Sequence, residues 1–250
     1  MLAVFLLSGC TNQVYEIDVK DDGTCTFSEL IAVDVDIYNK MKEKEIDFGN
    51  FYKQDEQSND QVKNVDVLFQ ETAELFASKG FAIEEVNDTV QVGFKARKDY
   101  KNIDDMNKDL KLLYQSGISS LAAEVEHDKN MFKDNYQTYG TIEFHKDPDF
   151  KLTDEEITKL LSDLNNPTVS STLIVKTPGA LRRHNGEIDG GKLKITSLYG
   201  EDPVNIDVLS GTTNSKVKML FGFAGFIVFI LIILFITKNF RKWTSRLKKD

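Results

Sequence analysis

The chain has two cysteines, three histidines, one tryptophan and four prolines in 250 residues. So few cysteines rule out a disulfide framework, and Cys10 and Cys25 are the whole supply. His127, His145 and His184 stand in separate segments. No HExxH, CxxC, P-loop, GxGxxG after a strand or GxSxG occurs, so the sequence offers no standard metal, nucleotide or serine-nucleophile site, and no cofactor is expected. Positive charge is also short. Of 31 basic and 40 acidic residues, positions 216–250 hold eight and one, which leaves residues 1–215 with 23 against 39, a net of −16. A domain of that sign is repelled by phosphate backbones, so nucleic acid is not a partner.

Charge is missing altogether from Met219 to Thr237, nineteen residues reading MLFGFAGFIVFILIILFIT. As a helix they would span about 28 Å, the thickness of a hydrocarbon core. Lys238, Arg241, Lys242, Arg246, Lys248 and Lys249 follow, whereas Lys216 and Lys218 alone precede. The heavier cationic flank stays cytoplasmic, so the span is expected to run from outside to inside. Phe240, Trp243 and Leu247 share a face of the tail, with Lys238, Arg241, Lys242 and Arg246 around it, which suits contact with lipid headgroups.

At the front, Leu7-Ser8-Gly9-Cys10 follows an apolar run and looks like the end of a lipoprotein signal, with Cys10 as the acylated residue. The run has no basic n-region, so the start of the signal is expected upstream of Met1. Both anchors place the intervening domain outside the cell. The organisation read from the sequence is a signal remnant over 1–9, an exterior domain over 10–210, a tether over 211–218, a membrane helix over 219–237 and a basic tail over 238–250.

Within the domain, Tyr15, Ile17 and Val19 alternate with polar residues, and Asp21-Asp22-Gly23 is turn chemistry. The alternation Cys25, Phe27, Glu29, Ile31, Val33, Val35, Ile37 predicts one long strand with Cys25 on its apolar side. Lys40 to Asp60 reads as a loop with room for one short helix. Val62 to Phe76 carries a helical stripe closed by Gly80. A hairpin turning at Asn87-Asp88 follows, then a helix near Asp104–Ser116 burying Met106, Leu110, Leu113 and Tyr114. Strands are expected around 121–126 and 136–144, and Thr153 with Glu156 predicts a capping box. Strands over 169–177, 192–197 and 204–208 complete the domain. Hairpins joined by helices without a β-α-β repeat predict an α+β fold, a twisted antiparallel sheet with helices packed on one face, followed by the single transmembrane helix.

Two clusters are candidates for chemistry. Glu124, Glu126, His127 and Asp128 are the densest set of potential ligands, but strand alternation puts His127 on the face opposite the acids. Arg182-Arg183-His184 is a basic cluster in an acidic domain, between the Pro178-Gly179 and Asn185-Gly186 turns. Arginine forks match phosphate, so this loop is a candidate grip on an anionic headgroup or polymer.

The order of a lipobox-like cysteine, a strand, an Asp-Gly turn, a strand and a helix ending in Gly80-Phe81, then Val175-Lys176-Thr177-Pro178-Gly179, Asn185-Gly186 and a C-terminal membrane helix, resembles the LppM-domain family of bacterial surface lipoproteins. The resemblance covers nearly all of residues 7–237. Where family members often carry a Trp, Lys192-Leu193-Lys194-Ile195-Thr196 has none. The resemblance implies a non-enzymatic extracytoplasmic domain that recognises a lipid, glycolipid or envelope ligand. The alternative expectation is a protein-interaction module or accessory subunit with a membrane-protein partner.

Overall fold

A computed structural model of the chain describes residues 12–48, 64–130, 133–143, 153–164, 169–189, 192–198 and 201–213, with 226, 228 and 229. Cys10 lies outside the described residues, as do Lys238, Arg241, Lys242, Trp243 and Arg246. Of the expected membrane span only Phe226, Val228 and Phe229 are described; all three are helical and exposed. Among the described residues no helix is long and apolar enough to cross a membrane.

The first described element is a hairpin of β1 (Asn12–Val19) and β2 (Cys25–Asp34). Its turn is held by Asp22, whose carboxylate accepts from the Thr24 amide at 2.9 Å, and Gly23 supplies a φ of 84°. The expected strand does not reach Ile37. Asp34 accepts a hydrogen bond from the Asp36 amide and caps helix α1 (Val35–Glu43). The apolar alternation of Val35 and Ile37 continues the strand pattern, but the N-cap converts it.

Helix α2 (Val65–Ser78) is capped by Asn64 and buries Val65, Leu68, Phe69, Thr72 and Phe76. Phe76 packs edge-on against Phe81 and Phe94, with centroids 5.3 and 6.1 Å away. A second hairpin follows, β3 (Ala82–Asn87) and β4 (Gln91–Tyr100); the turn falls at residues 88–90, slightly later than the expected Asn87-Asp88, because Asn87 stays in the strand opposite Val92. Asn102 caps α3 (Ile103–Gln115), which packs chiefly against β5 (Leu121–Lys129). Next come β6 (Lys133–Ile142) and α4 (Asp154–Asp163), the latter opened by the expected Thr153–Glu156 capping box. The remainder is strand: β7 (Ser170–Lys176), β8 (Ala180–Arg183), β9 (Glu187–Asp189), β10 (Lys192–Leu198) and β11 (Val204–Thr213). β11 includes Gly211–Thr213, which the sequence reading gave to the tether.

The fold is mixed, mostly strand, and departs from one antiparallel sheet in two ways. The strands form two sheets, a seven-stranded one in the order β3-β4-β2-β1-β7-β10-β9 and a four-stranded one in the order β5-β6-β11-β8. The larger sheet is also mixed, because β1 and β7 pair in parallel, Asn12 opposite Ser170 through Asp18 opposite Lys176. Local periodicity cannot disclose a pairing between strands so distant in sequence. One continuous core joins Tyr15, Ile17, Phe27, Leu173 and Val175 of the larger sheet to Tyr136, Ile206 and Val208 of the smaller.

The interior includes polar groups. Glu29 is fully buried on the apolar side of β2. Its Oε1 accepts from the Gln13 amide at 3.1 Å, while Oε2 has no hydrogen-bond partner among the described residues. Gln13 Oε1 in turn accepts from the hydroxyls of Tyr15, at 3.0 Å, and Ser171, at 3.2 Å. Burial raises the Glu29 carboxyl well above its usual range, and the Ser119 and Gln13 side chains oppose this only in part.

Candidate functional site

The described surface opens where α3 crosses the edge strand β5. Two adjoining clefts, of about 590 and 540 Å³, share Asp104, Asn107 and Glu124. The residues that build them follow from the helix period. Asp104, Asn107, Lys108 and Lys111 recur on the polar side of α3, whose opposite side buries Met106, Leu110 and Leu113.

Asn107 fixes the distance between helix and strand. Its side-chain amide donates to the Val125 carbonyl at 2.9 Å and its carbonyl accepts from the Val125 amide at 3.0 Å. It thereby pairs with the open edge of β5 as a neighbouring strand would. Gly140 lets β5 come close from the other side: its φ is 146°, and a Cβ there would overlap the Ala122 carbonyl.

The larger cleft has a floor of Ala122, Ala123 and Gly140, walls of Tyr114 and Tyr139, and Lys108 and Lys111 at its rim. Tyr114, expected in the core, is only half-buried and donates to Glu143 at 3.4 Å. The Tyr139 hydroxyl donates to Glu126 at 2.9 Å, and this bond with the neighbouring Glu124 pushes its pKa up to about 12. Flat ring faces, a small-residue floor and rim groups of both charges match a molecule with apolar faces and polar edges.

The acidic cluster on β5 is dispersed by its own partners. His127 is hydrogen-bonded to Asp134 and stacks on Tyr136 with centroids 4.3 Å apart, and Glu126 holds Tyr139. Among the described residues no three His, Cys, Asp or Glu side chains are grouped to hold a metal ion. Cys25 is buried as its alternation implied; its thiol approaches the Asn102 carbonyl at 3.3 Å, and burial with the nearby Asp105 pushes its pKa up to about 11.

The basic cluster is a strand edge instead of a free loop. Arg182 and Arg183 end β8, an edge of the smaller sheet. Arg183 forks onto Asp207, with both nitrogen–oxygen distances at 2.8 Å, and Arg182 donates to Asn135 at 3.2 Å. His184 Nδ1 lies 3.0 Å from the Gly186 carbonyl oxygen in the turn to β9. Arg183 is therefore committed to its own fold, whereas Arg182 has a single weak contact. The structure does not bring this cluster to the α3–β5 cleft, because β5 and β8 are opposite edges of one sheet.

No family model matches the chain, and no curated protein is similar to it at a significant level. Among solved structures the chain is similar to the folded domain of the LppM protein of Mycobacterium tuberculosis, determined by NMR, at 11% identity over 83% of this chain and 92% of that one. The TM-score is 0.41.

Proposed function

We propose that this chain is a non-enzymatic, membrane-anchored extracytoplasmic lipoprotein whose α+β domain holds the sugar-bearing part of an envelope glycolipid or polymer in the α3–β5 cleft. The cleft carries the reading. Tyr114 and Tyr139 offer ring faces on which a pyranose can lie, Lys108 and Lys111 offer donors to phosphate or hydroxyl, and Glu124 offers an acceptor. The cleft is open and has Asp104, Lys108, Lys111 and Glu124 in its lining, which favours a headgroup over an acyl chain. The anchoring half rests on Leu7–Cys10, the uncharged run at 219–237 and its basic flank.

Native mass spectrometry of the full chain, extracted in detergent from its own membranes, tests the reading. A saccharide-bearing adduct is expected, and Tyr139→Ala with Lys111→Ala should remove it. Extraction with a stoichiometric protein and no such adduct would replace this reading by that of an accessory subunit. An adduct untouched by the double substitution would move the site elsewhere.

A further inference from the structure

The two anchoring segments leave the domain at opposite ends of its strands. β1 starts at Asn12, two residues after Cys10, at the end where Asn12 meets Ser170 and Ser170 meets Leu198. β11 starts near that end and runs away from it. Its last residues lie beside the turn after β7: Ser210 hydrogen-bonds Thr177 at 2.7 Å, and Gly211 faces Ala180. Lys176, just before that turn, pairs with Asp18 near the far end of β1. Thr213 and Asn12 are thus separated by roughly the length of β1, about 23 Å for eight residues.

Those ends must reach one bilayer surface, on the anchoring proposed above. From Cys10 to Asn12 the chain can extend about 7 Å, and from Thr213 to Met219 about 21 Å. A domain standing on its Thr213 end would hold Cys10 too high for its acyl chains to insert. One standing on its Asn12 end would need more than the full reach of residues 213–219. Only a domain lying along the surface satisfies both.

Charge chooses the side that faces down. β8 and β9 are edges of the two sheets, joined through His184–Gly186, so they lie on one flank together with β10. Residues 180–198 carry Arg182, Arg183, Lys192 and Lys194 against Glu187 and Asp189; Arg183 is held by Asp207 and Lys194 by Asp189, so Arg182 and Lys192 are the cations without an ion pair among the described residues, and Ile188 is more than half exposed. On the opposite flank β3 and β4 balance, with Glu84, Glu85 and Asp99 against Lys95, Arg97 and Lys98, and β5 is acidic, with Glu124, Glu126 and Asp128 against Lys129. Ile83 is exposed there too, so apolar exposure does not distinguish the flanks, whereas charge does. We infer that the domain lies level on its own bilayer, strands in the membrane plane, with the β8–β9–β10 flank resting on anionic lipid headgroups and the α3–β5 cleft turned outward.

The full chain reconstituted in phosphatidylcholine–phosphatidylglycerol vesicles tests this by energy transfer to a headgroup-labelled lipid. Donors are placed singly through Asn12→Cys, Asp22→Cys, Ile188→Cys or Glu84→Cys; the buried Cys25 thiol stays unlabelled. Asn12 and Asp22 lie at the two ends of β1, at one level of the sheet, and should give equal transfer, while Ile188 should give much more than Glu84. Arg182→Ser with Lys192→Ser should bring the Ile188 signal down toward that of Glu84. Unequal ends, or Glu84 matching Ile188 in the parent chain, would overturn the orientation. The intact mass of the same preparation reads the premise separately: a chain without acyl groups would overturn the anchoring, and acylated protein with unequal ends the orientation alone.

Discussion

Glu29 is the residue at which composition and environment conflict most. A carboxyl with no exposure, and with one oxygen unpartnered among the described residues, is pushed toward its neutral form by burial. Its folded pKa lies above its unfolded one, so the folded chain binds the extra proton. Stability should therefore be independent of this group below the ordinary carboxylate range and fall as pH rises from there toward the folded pKa. Each unit of separation is worth about 1.4 kcal/mol. Glu29→Gln should remove that slope, leave the protein unchanged in acid and stabilise it at neutral pH, as urea denaturation across pH would measure. The alternation Cys25, Phe27, Glu29, Ile31, Val33 already places Glu29 on the dry face. Its partners were not legible, because Gln13 and Ser119 come from other elements. Tyr114 is the converse case: helical spacing makes it a core residue, yet the strand beneath it leaves room for a cleft.

Elements with their own punctuation were legible: the turn at Gly23, the α2 stripe closed by Gly80, the hairpin near Asn87-Asp88 and the Thr153 capping box. The boundary of β2 was not, since Asp34 can continue a strand or cap a helix and only the Asp36 amide decides between them. The cleft was illegible for a related reason, as it exists between α3 and β5 and belongs to neither. Asn107 joins them, and Asn107→Ala would leave the outward backbone groups of Val125 unpaired. A loss of about 1–3 kcal/mol is expected, with faster hydrogen exchange confined to β5. Gly140 is less forgiving. Gly140→Ala drives a methyl into the Ala122 carbonyl, so a loss of at least about 2 kcal/mol is expected, together with a widened β5–β6 spacing visible in cross-strand NOEs.

Across the whole molecule, the pairing of β1 with β7 governs how the fold is completed. Asn12 and Ser170 are 158 residues apart, and β1 occupies the middle of the larger sheet. A chain ending before Ser170 would leave β1 an edge and uncover Tyr15 and Ile17; it should lack cooperative unfolding even though its first two hairpins are complete. Folding of the full domain should be slow, in the millisecond-to-second range of topologies rich in distant contacts, as stopped-flow fluorescence would measure. On the extracytoplasmic location proposed above, the same pairing sets an order of events during export. In a chain that crosses the membrane N-terminus first, β1 has no lateral partner on its β7 side until more than 150 further residues have emerged. Throughout that interval the stretch preceding Asn12 adjoins an unfinished sheet. If Cys10 is acylated as proposed, an enzyme acting on it has this interval in which to work, before the second half of the chain closes the sheet beside it.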